Sequence, residues 1–233
     1  PDPAVPAAVG VDFGGTFVKI GVCRGADLVE TDEPIATADH PGPEALIRAM
    51  AERIARLRVR HPGIRAVGVG VPGLVDHDLG FVHVLTNVPG WIRIPLREIL
   101  SGQTGLPVTV ENDANAMTYA EWRYGAGRGM KNVVGITLGT GVGGGMVLDG
   151  RMYRGSGFSA GEIGQMSIHY GGISGHYGNF GALEKYVGNL QIAEHAQRRY
   201  AQSGRHKELG DCAPKDLAAA AQAGDEVARQ IWG

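Results

Sequence analysis

Apolar positions recur with a period of two near the start of the chain and change to a helical period by residue 43. Residues Val9 to Val22, VGVDFGGTFVKIGV, make an apolar run into Asp12, a Gly14-Gly15-Thr16 turn and a second apolar run beyond Lys19. That pattern predicts strand, tight turn, strand. Leu28 to Ile35 predicts a third strand. Pro43 to Arg60 sets Leu46, Ile47, Met50, Ile54 and Leu57 on one helical face, with Pro43 suited to a first turn. Ala66 to Val71 is a buried strand stopped by Pro72-Gly73, and Phe81 to Leu85 is another. A short helix over Ile94 to Leu100, a strand over Pro107 to Val110 and a helix over Asn115 to Tyr124 follow. The glycine-rich segment Gly125 to Gly129 is a candidate hinge.

The pattern then restarts. Asn132 to Leu138 and Gly144 to Leu148 predict a second strand pair, with Asp149-Gly150 as a hairpin turn signal. Ser156 to Asn179 has little periodicity, which in a compact domain marks a functional loop. Helices are expected over Leu183 to Gln202, Pro214 to Ala223 and Asp225 to Trp232. Strand-rich starts at Val9 and Asn132 predict two lobes of related design. The expected division is a disordered leader over 1–6, an N-terminal lobe over 7–128 and a C-terminal lobe over 129–233.

Composition narrows the class. The 233 residues are 43% hydrophobic, enough for a large core, and the 38 glycines imply many tight turns and close backbone approaches. The net charge is −2, and Lys and Arg never gather into a basic run, so nucleic acid and anionic membrane are not expected as main partners. Cys23 and Cys212 are the only cysteines and form no C-x-x-C pattern, which excludes a disulfide framework and a Cys-rich zinc site. No apolar stretch approaches the roughly 20 residues of a membrane span, and PDPAVPAAVG has neither the positive start nor the long apolar centre of a signal peptide. A cytoplasmic setting is expected.

Gly14 and Gly15 lack side chains, so their backbone N–H groups can converge on a phosphate, with Thr16 adding a hydroxyl and Lys19 a charge. Asp12 could hold a hydrated Mg²⁺. An ordinary hairpin would read the same way. A second turn, LGTGVGGG over Leu138 to Gly145, contains a formal G-x-G-x-x-G at Gly139, Gly141 and Gly144. The dinucleotide fingerprint requires a helix to open there, whereas Met146 to Leu148 is a strand pattern leading into a turn. No Walker A loop occurs. Two strand–glycine–strand units remain, and together they could clamp one nucleotide. Between them Glu111-Asn112-Asp113-Ala114-Asn115 ends a strand and opens a helix, where Asn112 or Asp113 is either an N-cap or a group that does chemistry.

These pieces together resemble the ROK family of sugar kinases and sugar-responsive repressors, within the actin-like ATPase superfamily. The resemblance rests on VDFGGTFVK, GVGVPGLVD around 69–73, TNVPGW at 86–91, ENDANA at 111–116, GITLGTGVGGG at 135–145 and GEIG at 161–164. It implies an α/β, two-lobed actin-like (ribonuclease H-like) fold, with mixed sheets flanked by helices and an active-site cleft between the lobes. It implies Asp113 as the general base for a sugar hydroxyl. Gly73, Asn87, Asn112, Glu162, Gln165 and Glu184 join Asp113 in the substrate site. Asp12, Gly14, Gly15, Thr16, Lys19, Gly139, Thr140 and Gly141 hold the nucleotide phosphates, with Asp12 on Mg²⁺ through water.

The implied reaction is ATP- and Mg²⁺-dependent phosphorylation of a hexose, glucose at the 6-hydroxyl being the leading substrate, by a cytoplasmic homodimer. The alternatives are a non-catalytic sugar-binding regulator, or a kinase for fructose, mannose or an N-acetyl hexosamine, or one using polyphosphate or another donor. With the first strand expected near Ala7, the DNA-binding helix-turn-helix of the repressors is not expected in this sequence. The chain also departs from the family. The four zinc-ligand positions of many relatives fall on Gln165, Gly175, Tyr177 and Ala182, so no structural zinc is expected, and packing around Tyr177 and Phe180 should support the loop instead. His169 and His176 alone are a weak metal signal. Relatives continue past Gly233 with a further glycine-rich strand and turn that complete the adenosine pocket. The C-terminal lobe is therefore expected to be incomplete, leaving apolar sheet surface uncovered.

Overall fold

The computed structural model describes residues 5–85, 88, 90–175 and 177–232. Asn87 and His176 lie outside the described residues. Contacts gather the chain into two compact units, Pro1–Gly135 with Gly145–Gly161, and Ile136–Gly144 with Glu162–Gly233. The expected lobes divide the chain once, after residue 128, whereas these units interleave along it.

The first unit is built on a sheet in the order β3-β2-β1-β5-β9. β1 (Ala7–Phe13) pairs antiparallel with β2 (Phe17–Arg24), and β2 with β3 (Asp27–Thr31) and with the short β4 (Ile35–Ala36). The helix α1 (Pro43–Arg60) then crosses to β5 (Ile64–Val71), which lies parallel to β1. The small strands β6 (Val75–Asp76), β7 (Phe81–Val84) and β8 (Ile92–Ile94) form a separate meander. Next, α2 (Leu96–Thr104) leads to β9 (Val108–Asn112), parallel to β5, and α3 (Asp113–Tyr124) follows directly.

Alternation explains both sheet faces. Val9, Val11, Phe13, Val67, Val69, Val71, Val108 and Val110 are buried in the core together with the apolar stripe of α1: Leu46, Ile47, Met50, Ile54 and Leu57. The intervening positions are Gly10 and Asp12, Gly68 and Gly70, Thr109 and Glu111. One face is thus greasy and covered, and the other is small or polar.

The hairpin β10 (Val133–Leu138) and β11 (Val142–Leu148) has its base in the first unit and its tip in the second, with β12 (Arg151–Tyr153) beside β11. Asp149 and Gly150 both take positive φ, 51° and 72°, as the expected two-residue turn requires. Val134, Ile136 and Leu138 are exposed in an alternate row along β10. Gly135 and Gly145 both abut Thr118 of α3, and a Cβ at either would overlap its hydroxyl. The second unit adds α4 (Glu184–Val187), α5 (Asn189–Gln202), α6 (Pro214–Gln222) and α7 (Glu226–Trp232), packed around Ala193, Ala196, Tyr200, Cys212 and Leu217.

Proline and glycine account for three departures from the expected elements. The strand over Leu28 to Ile35 is interrupted, since Pro34 has no N–H for a ladder and pairing resumes only at Ile35 with Val18. The helix expected from Ile94 starts at Leu96, because Pro95 disfavours helical backbone at the residue before it. The helix expected from Leu183 to Gln202 breaks at Gly188, whose φ of −67° and ψ of 151° end α4 and let α5 begin afresh.

The α1 stripe gives a direct test. Ile54 is fully buried and Val59 is 81% exposed. Ile54→Ala should cost about 2–5 kcal/mol in urea unfolding, while Val59→Ala should change stability by less than about 0.5 kcal/mol.

Candidate functional site

In the first unit the site begins with strand register. Asp12 lies opposite Lys19 across the β1–β2 ladder, and their side chains form an exposed ion pair at 3.4 Å. Asp12 also lies opposite Gly70 of β5, and Gly70 opposite Glu111 of β9. Asp113, the first residue of α3, follows two positions later. A cavity of about 760 Å³ opens on this face, lined among others by Gly10, Asp12, Gly68, Gly70, Glu111 and Asp113.

The Gly14-Gly15-Thr16 turn is braced from within. The Gly14 N–H donates to the Phe17 carbonyl at 2.9 Å, and a Cβ on Gly14 would meet that oxygen at 2.8 Å. Gly14 therefore shapes the turn, and its N–H is committed there. The Thr37 hydroxyl lies 2.8 Å from the Gly15 carbonyl oxygen and 3.0 Å from that of Thr16, and the Thr37 N–H donates to Thr16 at 3.0 Å. Thr37 is a residue that sequence reasoning missed, and no local pattern marks it.

Asn112 is the N-cap of α3. Its Oδ1 accepts the Asn115 N–H at 3.0 Å, and its Nδ2 donates to the Gly73 carbonyl at 3.1 Å. Two expected substrate residues, Asn112 and Gly73, are thereby joined. Gly73 takes a φ of 94°, and a Cβ there would meet the Val84 carbonyl oxygen at 2.8 Å, so the turn requires glycine.

Asp113 accepts the Ala114 N–H at 2.8 Å through Oδ1. Solvent reaches it from the cavity, yet the surrounding protein deprives the carboxylate of much of its hydration. That desolvation is the main reason its pKa lies above the ordinary aspartate value; the Ala114 N–H works against it, and the charge of Asp12 adds to it. Glu111, which sequence reasoning quoted only as part of a motif, takes Arg154 at 2.6 Å and His77 at 3.2 Å.

In the second unit the Gly139-Thr140-Gly141 turn joins β10 to β11. The Gly139 N–H donates to the Gly141 carbonyl at 2.9 Å, and the Gly139 carbonyl accepts the Asn189 N–H at 2.9 Å. Breaking the helix at Gly188 is what presents that Asn189 donor. Glu184 Oε2 accepts the Val142 N–H at 3.1 Å, and a Cβ on Gly141 would overlap the same oxygen. Gln165 Nε2 donates to Glu184 Oε1 at 3.4 Å. Glu184 and Gln165 are thus brought together, and Glu184 also supports the second glycine turn. Glu162 is exposed and opens the short 3-10 turn Ile163–Gln165, where its carbonyl accepts the Gln165 N–H at 3.0 Å.

The loop after this turn is supported differently from expectation. Tyr177 and Phe180 are 79% and 56% exposed, so their packing does not hold it. Bridges pair Ser167 with Ala182 and Ser174 with Phe180, and Asn179 Nδ2 donates to the Gln165 carbonyl at 2.8 Å. The Tyr186 hydroxyl receives the Ile173 N–H at 3.2 Å and lies 3.3 Å from His169 Nδ1. Glycines let strands and amides replace a side-chain core there.

The fold is the actin-like ATPase fold of ROK sugar kinases. The ROK family profile covers residues 8–233, and the chain belongs to the ROK family. It is 34% identical over 229 residues to a glucokinase of Streptomyces coelicolor, covering 94% of this chain and 71% of the relative. Among solved structures, a ROK family glucokinase from Streptomyces griseus in complex with glucose and AMPPNP is 31% identical with a TM-score of 0.79, covering 97% of this chain and 74% of that one. A xylose repressor of Caldicellulosiruptor bescii is 26% identical over 234 residues, covering 97% of this chain and 58% of the relative.

The environment of Asp113 predicts a stability effect with a definite sign. A carboxyl whose folded-state pKa is raised contributes stability below the unfolded pKa and loses it as pH rises through the folded value. Asp113→Asn retains an acceptor for the Ala114 N–H without the charge. It should raise Tm slightly at pH 7, and the gain should vanish when melting is repeated below the ordinary carboxylate pKa of about 4.

Proposed function

We propose that the chain transfers the γ-phosphoryl group of ATP to the 6-hydroxyl of glucose, with Asp113 as general base. The coarser statement, a phosphotransferase acting on a sugar hydroxyl, stands on family membership together with the glucokinase relatives. The observation that carries the finer reading is Asp113 itself, a carboxylate at a helix start, on a cavity wall, holding its proton more tightly than an ordinary aspartate.

In this reading the sugar hydroxyl lies against Asp113. As its oxygen attacks the γ-phosphorus and ADP departs, Asp113 takes the hydroxyl proton. A raised pKa makes that proton transfer more favourable. In the first unit, Asn112 and Gly73 are read as sugar-binding and Gly15, Thr16 and Lys19 as phosphate-binding. In the second unit, taken by itself, Glu162, Gln165 and Glu184 are read as sugar-binding and Thr140 and Gly141 as phosphate-binding. Carboxylates accept from two hydroxyls each, and the Gln165 amide both donates and accepts.

The carboxylate of Asp12, exposed and on the cavity wall, fits a divalent cation held through water. Asp12 would hold Mg²⁺ through water, and Mg²⁺ would supply charge neutralisation on the phosphoryl group. No structural zinc forms part of this reading, since amide and hydroxyl bonds from Asn179 and Tyr186 brace the loop.

A sugar-binding regulator is the second reading, favoured by the likeness to the xylose repressor. Turnover separates the two. A coupled assay with ATP, Mg²⁺ and a hexose panel should show phosphorylation, fastest with glucose; no turnover with any sugar that calorimetry shows to bind would favour the regulator. Asp113→Asn should keep glucose binding but lower kcat by at least about 10²-fold. Elemental analysis should find no stoichiometric zinc, and one zinc per chain would overturn that part of the reading.

A further inference from the structure

Glu111, one residue before the α3 cap, divides its carboxylate between two elements. Its Oε2 accepts from Arg154 Nε at 2.8 Å and Nη2 at 2.6 Å, Arg154 being the residue after β12. Its Oε1 accepts the Asn112 backbone N–H at 3.0 Å and Asn115 Nδ2 at 3.2 Å. One oxygen faces a guanidinium and the other faces the first turn of α3. His77 Nδ1 lies 3.2 Å from the same Oε2 and 3.1 Å from the Val110 carbonyl oxygen. The Glu111 and Arg154 side chains are only 14% and 24% exposed.

A pair this far removed from water contributes little net stability compared with apolar side chains of the same volume. Its geometric effect is larger. Asn112 is fixed at its N–H by Glu111, at Oδ1 by the Asn115 N–H and at Nδ2 by Gly73. Asp113 is the next residue, so its Cα inherits that placement. One turn on, and on the same face of α3 as Asn115, Thr118 rests against Gly135 and Gly145. The helix start is therefore gripped from the sheet side, the cap side and β12. A displacement of a reacting group by about 1 Å can cost on the order of 10²-fold in rate.

We infer that Arg154 is a positioning residue for Asp113, acting through Glu111 to hold the first turn of α3 where the general base is needed. The inference rests on the reading of Asp113 as base. It also explains the choice of arginine, whose rigid fork puts two N–H groups on one oxygen, which a lysine cannot do.

The test is a cycle of kcat measurements with ATP and glucose on Arg154→Ala, Asp113→Asn and the double variant, with folded fraction followed by circular dichroism. Arg154→Ala should lower kcat by about 10- to 100-fold in the native background. In the Asp113→Asn background the same change should lower kcat by less than about twofold, because a missing base cannot be mispositioned. Arg154→Lys should fall between native and Arg154→Ala, and it carries the cycle if Arg154→Ala does not fold. An equal loss in both backgrounds would show a merely structural role and overturn the inference, as would unchanged kcat in Arg154→Ala or in Arg154→Lys when that variant carries the cycle. Near-normal turnover in Asp113→Asn alone would instead remove Asp113 as base, so the two failures are distinguishable.

Discussion

The parallel register of β1, β5 and β9 is the constraint on which the candidate site of the first unit depends. It sets Asp12 against Gly70 and Gly70 against Glu111, with Val71 paired to Asn112 at the strand end. A slip of one residue would turn every side chain to the other face, burying Asp12 and exposing valine. The valine rows on the covered face make such a slip costly, so the core fixes the position of the chemistry. Gly70 in the middle strand lies against the start of α3, where a Cβ would be in ordinary contact with the Asp113 Cα at 3.7 Å.

Placing charge on that face has a thermodynamic consequence. The raised proton affinity of Asp113 means that the folded chain holds this group less comfortably as an anion than the unfolded chain does. The structure tolerates this because the neighbouring charges are arranged in pairs: Lys19 on Asp12, and Arg154 on Glu111. Among the described residues no such cation is paired with Asp113. Both glycine turns show a related economy of design, with one amide of each tied to a carbonyl inside the turn, so that their shapes are set before any ligand arrives.

Much of the fold was legible because its signals are local. The α1 stripe and the Pro43 start coincide with the helix, and the alternation in VGVDF, VGVGV and VTVEN marks which sheet face is core. The Asp149-Gly150 turn follows from dipeptide chemistry. What the sequence concealed depends on distant contacts. Arg154 lies 43 positions from Glu111 and Thr37 lies 22 from Gly15, and neither carries a pattern of its own. The misjudged loop has the same origin. Tyr177 and Phe180 read as core by their chemistry, but glycine at 175 and 181 lets the chain approach Asn179 and His169 more closely than a Cβ would allow.

Glu184 shows how a single residue can belong to two parts of a site within one unit. Its carboxylate is fixed by the Val142 N–H on one oxygen and by Gln165 on the other, and Gly141 is glycine because the carboxylate occupies the space of a Cβ. The helix break at Gly188 then turns the Asn189 N–H onto the Gly139 carbonyl. The Gly139–Gly141 turn is consequently held from two sides by the same short stretch of chain, 184–189. Any hydroxyl that Glu184 accepts is held at a set distance from that turn, because the carboxylate cannot move without giving up the amide that shapes it. In the second unit, therefore, Glu184 and the Gly139–Gly141 turn are one mechanical piece, and a substitution at Gly141 or Glu184 acts on both.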